Sequence, residues 1–264
     1  MKYLTTMLAA GLIALNALFA APAQAADPSL DNILSAGKIR IGVMNEVPPY
    51  SQIDANNEVV GYDIDVANAL AEALGVKAEL VVITAANRIP ALVTRQVDLV
   101  IATLLLTPQR SAVISQSIPY MTFDTVVIGR SDKEIRNYED VAKLRMGVPR
   151  GTISDIIFSR EVPGGDIQRF DNDVTAIQAL VSGQVDVGAY GELVARNISK
   201  QNPDANLEVK FTAAYDFGTI GVNREDVDLQ RWVNSWILYA KIHGTLSGLY
   251  KKWLGTDLPE LPAY

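Results

Sequence analysis

A nine-residue phrase occurs twice in this chain and limits the folds open to it. Ala91-Leu92-Val93-Thr94-Arg95-Gln96-Val97-Asp98-Leu99 lines up with Ala179-Leu180-Val181-Ser182-Gly183-Gln184-Val185-Asp186-Val187. Ala-Leu-Val and Gln-Val-Asp recur at the same offsets. Each copy reads as the end of a helix, a turn and a buried strand. The same alternation surrounds both copies. Residues 38–44 place apolar side chains at period two, as a strand does. Residues 63–74 carry Ile64, Ala67, Leu70, Ala71 and Leu74 at helical spacing, and Gly75 stands just past them as a C-cap. Strands are predicted over 78–83 and 97–102, with a short helix at 89–94 between them. The grammar then restarts: strand 145–148, helix 152–160, strand 167–170, helix 174–181, strand 185–189. Such alternation predicts an α/β chain of two lobes with related topology, each a mostly parallel sheet flanked by helices.

A length of 264 residues suits two such lobes better than one core. The apolar stretches 120–128 and 217–222 lie at the edges of the second unit and are read as the two crossovers between lobes. The tail, 229–254, reads as amphipathic helix with Trp232, Trp236, Leu238 and Tyr239, packing back on the first lobe. The expected division is therefore 26–124 with 219–264 as lobe 1 and 125–218 as lobe 2.

Residues 1–25 read as a signal peptide. Lys2 gives a positive start, an apolar run follows over 8–21, and Ala23-Gln24-Ala25 is a small-x-small cleavage signature. The apolar run is shorter than the ~20 residues a spanning helix needs. There is no cysteine, which excludes a lipid-anchoring cysteine, disulfides and thiolate metal sites. The net charge is −7, and loss of Lys2 with the leader takes it to −8. An acidic chain is a poor partner for nucleic acid. The single histidine, His243, falls in the tail, so no His-based nucleophile or metal constellation can be assembled, and no cofactor or metal is expected.

Open α/β sheets bind ligands beyond the carboxyl ends of their strands. That rule selects Met44, Asn45, Glu46, Thr84, Ala85, Asn87, Arg88 and Thr103 in the first unit. In the second it selects Pro149, Arg150, Gly151, Thr152, Asp171, Asn172, Asp173, Tyr190, Gly191 and Glu192. Arg150-Gly151-Thr152-Ile153 is a glycine turn opening a helix, whose free N–H groups favour an anion. It serves equally as an ordinary capped start. Arg110 follows the third strand in Thr107-Pro108-Gln109-Arg110. It and Arg88 are either carboxylate-gripping forks or solvated surface arginines.

These phrases together resemble the polar amino-acid-binding family of periplasmic solute-binding proteins, over essentially the whole chain after residue 25. The marks are Ile39-Arg40-Ile41-Gly42 with Pro48-Pro49-Tyr50, Gly61-Tyr62-Asp63-Ile64-Asp65, Asn87-Arg88-Ile89-Pro90, Thr107-Pro108-Gln109-Arg110, Gly151-Thr152 and Lys252-Trp253-Leu254-Gly255. The resemblance implies the two-lobe periplasmic binding protein fold with two hinge crossovers, and a monomer in the periplasm. Its partners would be a small carboxylate-bearing ligand and the membrane permease of an ABC importer. It further implies that Arg110 binds the ligand's α-carboxylate, helped by Thr103 and the backbone at Thr152 and Ile153. The Asn87-Arg88 phrase is similar to the branch that binds acidic amino acids.

The chain departs from the family pattern at Leu105, where a hydroxyl is usual, at Met44, and above all at Gly191. There the family usually has an aspartate for the ligand's ammonium. Glu192, Asp173 or Glu46 would have to replace it, or the ligand is not a standard α-amino acid. Two other readings stand beside transport. One is a cleft enzyme on the same fold, of the cyclohexadienyl or arogenate dehydratase kind, with Glu46, Asp173 or Glu192 as general acid. The other is a sensor domain.

Overall fold

The two copies of the repeated phrase close the same joint in two sheets of matching topology. The computed structural model describes residues 29–262. The signal-peptide reading lies outside them. The first part of the chain runs α1 (Ser29–Ala36), β1 (Lys38–Val43), β2 (Glu46–Val47), β3 (Ser51–Ile53), β4 (Val59–Val60), α2 (Tyr62–Leu74) and β5 (Lys77–Val82). It continues through a 3-10 turn (Ala85–Asn87) into α3 (Arg88–Val93), β6 (Leu99–Val100), α4 (Pro108–Ser111) and β7 (Ser115–Gln116). The second unit runs β8 (Met121–Arg130), α5 (Tyr138–Val141), β9 (Met146–Pro149), α6 (Ile153–Glu161), β10 (Ile167–Phe170), α7 (Asp173–Ser182), β11 (Val187–Gly191), α8 (Glu192–Gln201) and β12 (Leu207–Gly218). The chain then returns to the first sheet with β13 (Gly221–Val222) and ends in α9 (Val227–Ile242) and α10 (Thr245–Leu254).

The first sheet has the order β5-β1-β6-β13-β7 and the second β10-β9-β11-β8-β12. In each, the first three strands are parallel and the fourth is antiparallel to both neighbours. Each sheet is thus mostly parallel, with one reversed strand. The central strands β9 and β11 are buried along their whole length, as continuous apolar runs covered on both faces must be. The edge strands β5 and β10 are only half-buried.

The repeated Gln-Val-Asp has a mechanical role. After α3, Asp98 accepts the backbone N–H of Arg40 at 2.8 Å and a fork from its guanidinium, with Nη2 at 2.6 Å. After α7, Asp186 does the same for Arg145, from N at 3.1 Å and Nε at 2.9 Å. The preceding valines also match: Val97 lies against Gly42 of β1, and Val185 against Gly147 of β9. Each aspartate joins a helix-turn to the start of the sheet's second strand.

β8 and β12 pair from Arg130↔Leu207 to Met121↔Gly218, with two irregularities in register. At their common end Leu105 bridges Gly218, and Thr219 N–H reaches Leu104 O at 2.9 Å. Two adjacent strands therefore carry the chain between the sheets, as the apolar stretches suggested. The tail docks on the first unit. Tyr250 meets Tyr62 edge-on at 5.5 Å, and Trp253 Nε1 donates to Asp65 of α2 at 2.6 Å. Trp236 is buried as expected, but Leu238 and Tyr239 are exposed.

Candidate functional site

The carboxyl ends of the two sheets face each other, and the loops leaving them enclose about 450 Å³, part of it open to solvent. The lining is largely apolar, with Met44, Val47, Leu105, Phe123, Ile153 and Val194. Its polar side chains are few: Arg88 and Thr103 from the first sheet, Thr152, Ser154, Asp173 and Tyr190 from the second.

Arg88 opens α3 and is 3% exposed. Its guanidinium donates Nε to Ala85 O at 3.0 Å, Nη1 to Ala102 O and Thr103 O at 2.9 Å each, and Nη2 to Gly151 O at 3.2 Å. Four of its five N–H groups are thus placed. Arg110, 4% exposed, donates Nη1 to Leu105 O at 2.7 Å and Nη2 to the same Gly151 O at 3.0 Å. Neither arginine bonds a carboxylate among the described residues. Burial pushes Arg88 down to about 9, with Arg110's charge adding to it, and Arg110 down to about 10. Both remain cationic at neutral pH. Asp63 and Asp173 act on Arg88, and Asp216 on Arg110, only through space, so N–H groups of the pair remain for a directly bonded anion.

Thr103 holds a left-handed backbone, φ 45°. Its N–H donates to Asp63 Oδ2 at 2.8 Å, and Tyr120 Oη donates to Asp63 Oδ1 at 2.6 Å. Asp63 is buried, and burial lifts its carboxyl to about 6 against those two hydrogen bonds and the charge of Arg88. A continuous relay therefore runs from Tyr120, at the foot of β8, through Asp63 and Thr103 to Arg88 and across to Gly151.

Gly151 has φ 74° and lies so near the first unit that a β-carbon would stand 3.2 Å from Ala86 Cα. Thr152 caps α6, accepting Asp155 N–H at 3.3 Å and donating to Pro149 O at 2.8 Å.

Asp173 begins α7 and is 6% exposed. Its Oδ2 and the hydroxyl of Tyr190 are buried without a hydrogen-bond partner among the described residues. Burial first, then the charge of Glu46, pushes the Asp173 carboxyl up to about 7, with Arg88 opposing. Glu46 is half-buried, and its own carboxyl is raised by burial and lowered by the Asp173 backbone N–H.

The structure thus gathers Arg88, Thr103, Thr152, Ile153, Asp173 and Tyr190 around one cavity. Arg110 lines an adjoining cavity with Arg88, Gln109 and Gly151. Asn87 and Arg150 are exposed and line neither. Glu192 pairs with Arg196 one turn along α8, at 2.5 Å, rather than facing the cavity. Of the three acids weighed for the place at Gly191, only Asp173 faces in. Sequence reasoning missed Phe123 and Val194. The one available signal for Phe123 was its place at the apolar crossover.

A bilobal α/β chain with a largely apolar interlobe cavity carrying a few polar side chains is a solute-binding architecture. Residues 39–256 match the family model of bacterial extracellular solute-binding proteins, family 3, and the chain belongs to that family. It is 30% identical over 224 residues to the ABC transporter arginine-binding protein 1 of Escherichia coli K12, covering 83% of this chain and 91% of that one. It is 25% identical over 231 residues to the L-cystine-binding protein TcyJ of the same organism, covering 87% of each. A solved ancestral amino acid-binding protein, a precursor of cyclohexadienyl dehydratase, superposes with TM-score 0.78 at 33% identity, covering 85% of this chain and 99% of that chain.

Proposed function

We propose that the chain captures a small carboxylate-bearing polar ligand, an amino acid or a derivative, between its lobes. It then delivers the ligand in the periplasm, as a monomer, to the permease of an ABC importer. The observation that carries this reading is the pair of buried guanidiniums, Arg88 and Arg110, bonded only to carbonyls. Family membership and the amino-acid-binding names of the relatives support it. Closure brings Gly151 of lobe 2 onto the two arginines of lobe 1, with residues 26–124 and 219–264 as one lobe and 125–218 as the other. A ligand carboxylate would take up the free N–H groups of these arginines, supported by Thr103 and the α6 N-terminus at Thr152 and Ile153. The test is a thermal-shift screen against amino acids, dicarboxylates and small amines. A ligand at a hundredfold excess over its Kd stabilises by about 2.7 kcal/mol. The shift should disappear in Arg88→Ala and Arg110→Ala. Carboxylate binding that persists in both would remove the reading.

One observation favours a second reading. Asp173 is a buried acid held near neutrality in an apolar cavity, the state required of a general acid. Turnover of prephenate or arogenate, abolished in Asp173→Asn, would establish an enzyme in place of a carrier.

A further inference from the structure

We infer that Asp173 and Tyr190 form the site for the ligand's ammonium group, so that the ligand is an amine-bearing carboxylate with a compact apolar body. The inference rests on the solute-binding reading and adds the second recognition element. Both side chains are more than nine-tenths buried, both line the cavity, and each presents an oxygen without a hydrogen-bond partner among the described residues. Buried polar atoms are almost always paired, and an unpaired one costs free energy. Two such oxygens on the same wall make a complementary seat for a multiple donor: the carboxylate accepts, and so does the phenol oxygen.

The alternative seat, position 191, is closed. The backbone there is ordinary, φ −57°, so a side chain meets no conformational barrier. Packing opposes it: a β-carbon on Gly191 would lie 2.6 Å from Phe123 Cζ and 2.9 Å from Cε2, so a side chain there requires the ring to move. Phe123 is held in turn by Tyr50, centroids 5.4 Å apart. The ring thus offers an apolar face in the cavity and leaves Asp173 as the carboxylate for a cation. Arg88 stands on the lobe-1 wall and Asp173 with Tyr190 on the lobe-2 wall. A ligand bearing both charges therefore bridges the two lobes and favours closure.

Matched probes test this in calorimetry on the purified full chain: L-leucine with 4-methylpentanoate, L-glutamine with glutaramate, L-arginine with 5-guanidinopentanoate, and 4-aminobutyrate with butyrate. At least one amine-bearing probe should bind more tightly than its partner lacking that amine. Asp173→Asn should weaken it roughly 30-fold or more, as loss of a buried charge partner does. Tyr190→Phe should weaken it less, and each variant should weaken the amine-bearing probe more than its partner acid. Circular dichroism and melting of each variant confirm that it is folded. Equal binding within every pair, with carboxylates still lost in Arg88→Ala, would overturn this inference and leave the solute-binding reading intact. Unchanged binding of the amine by both variants would also overturn it. If no carboxylate binds the wild type, both fall.

Discussion

The ring of Phe123 occupies the space that any side chain at position 191 would need. β8 and β11 are neighbours, with Thr125 opposite Gly191. Phe123, two residues along the same face, leans diagonally over the glycine. Gly191→Ala should therefore overpack the cavity wall and lower stability by about 1–3 kcal/mol. Phe123→Ala should also destabilise, by about 3–5 kcal/mol in a wall that cannot collapse. In the double variant the added methyl enters the space left by the ring, so the two costs should not add. Denaturant melts of the four proteins measure the coupling. Strict additivity would show that the two residues do not meet.

Asp173 sets a stability-versus-pH signature. Its carboxyl is pushed up to about 7 in the fold against about 4 in an unfolded chain. Between those values the folded state holds a proton that the unfolded state has released, so stability falls as pH rises through this window. The groups that face it are Glu46, which adds to the rise, Arg88, which opposes it, and the neutral Tyr190. Asp173→Asn should be more stable than wild type at pH 8, with the difference vanishing below about pH 4. Melting temperatures across pH 4–8 test it. A difference that does not change with pH would show that the carboxyl is not held protonated.

Much of this site was legible at the level of candidates and little at the level of orientation. The Gln-Val-Asp repeat was readable because its aspartates perform a local task, joining a turn to an adjacent strand, and local tasks leave local patterns. The strand-end rule chose Arg88, Asp173 and Tyr190, which line the cavity. It also chose Asn87, Arg150 and Glu192, because it selects positions and is blind to the direction of a side chain. The burial of Arg88 depends on carbonyls at residues 102, 103 and 151, which no nearby spacing encodes. Phe123 was hidden for the same reason. Its meaning lies in a glycine 68 positions away.

The relay into Arg88 depends on a buried acid that lines neither of the two cavities described. Asp63→Ala should leave the Tyr120 hydroxyl and the Thr103 N–H unsatisfied and cost about 3 kcal/mol or more. Tyr120→Phe removes one donor and should cost about 1–2 kcal/mol. Because Thr103 O is one of Arg88's acceptors, both variants should also weaken carboxylate binding, Asp63→Ala more than Tyr120→Phe. Calorimetry at a temperature where each is folded separates the two effects. Stability losses without any change in affinity would place Asp63 in the core alone.

The repeated clamp offers the last test. Asp186 accepts from Arg145 Nε at 2.9 Å and from Lys133 Nζ at 2.6 Å. These partners, Arg145 foremost, hold its carboxyl well below the usual carboxylate range. A depressed folded value contributes stability that is present above pH ~4 and is lost as pH falls below it. The carboxylate is mostly buried, 16% exposed, but Arg145 and Lys133 stand 47% and 36% exposed, so solvent screening limits the gain. Asp186→Ala should therefore cost about 1–2 kcal/mol at pH 7, and the cost should shrink as the wild type is acidified towards pH 2. Asp98→Ala, at the equivalent joint of the first sheet, should cost a similar amount at pH 7. Its effect should add to that of Asp186→Ala, because the two joints lie in different sheets and share no partner.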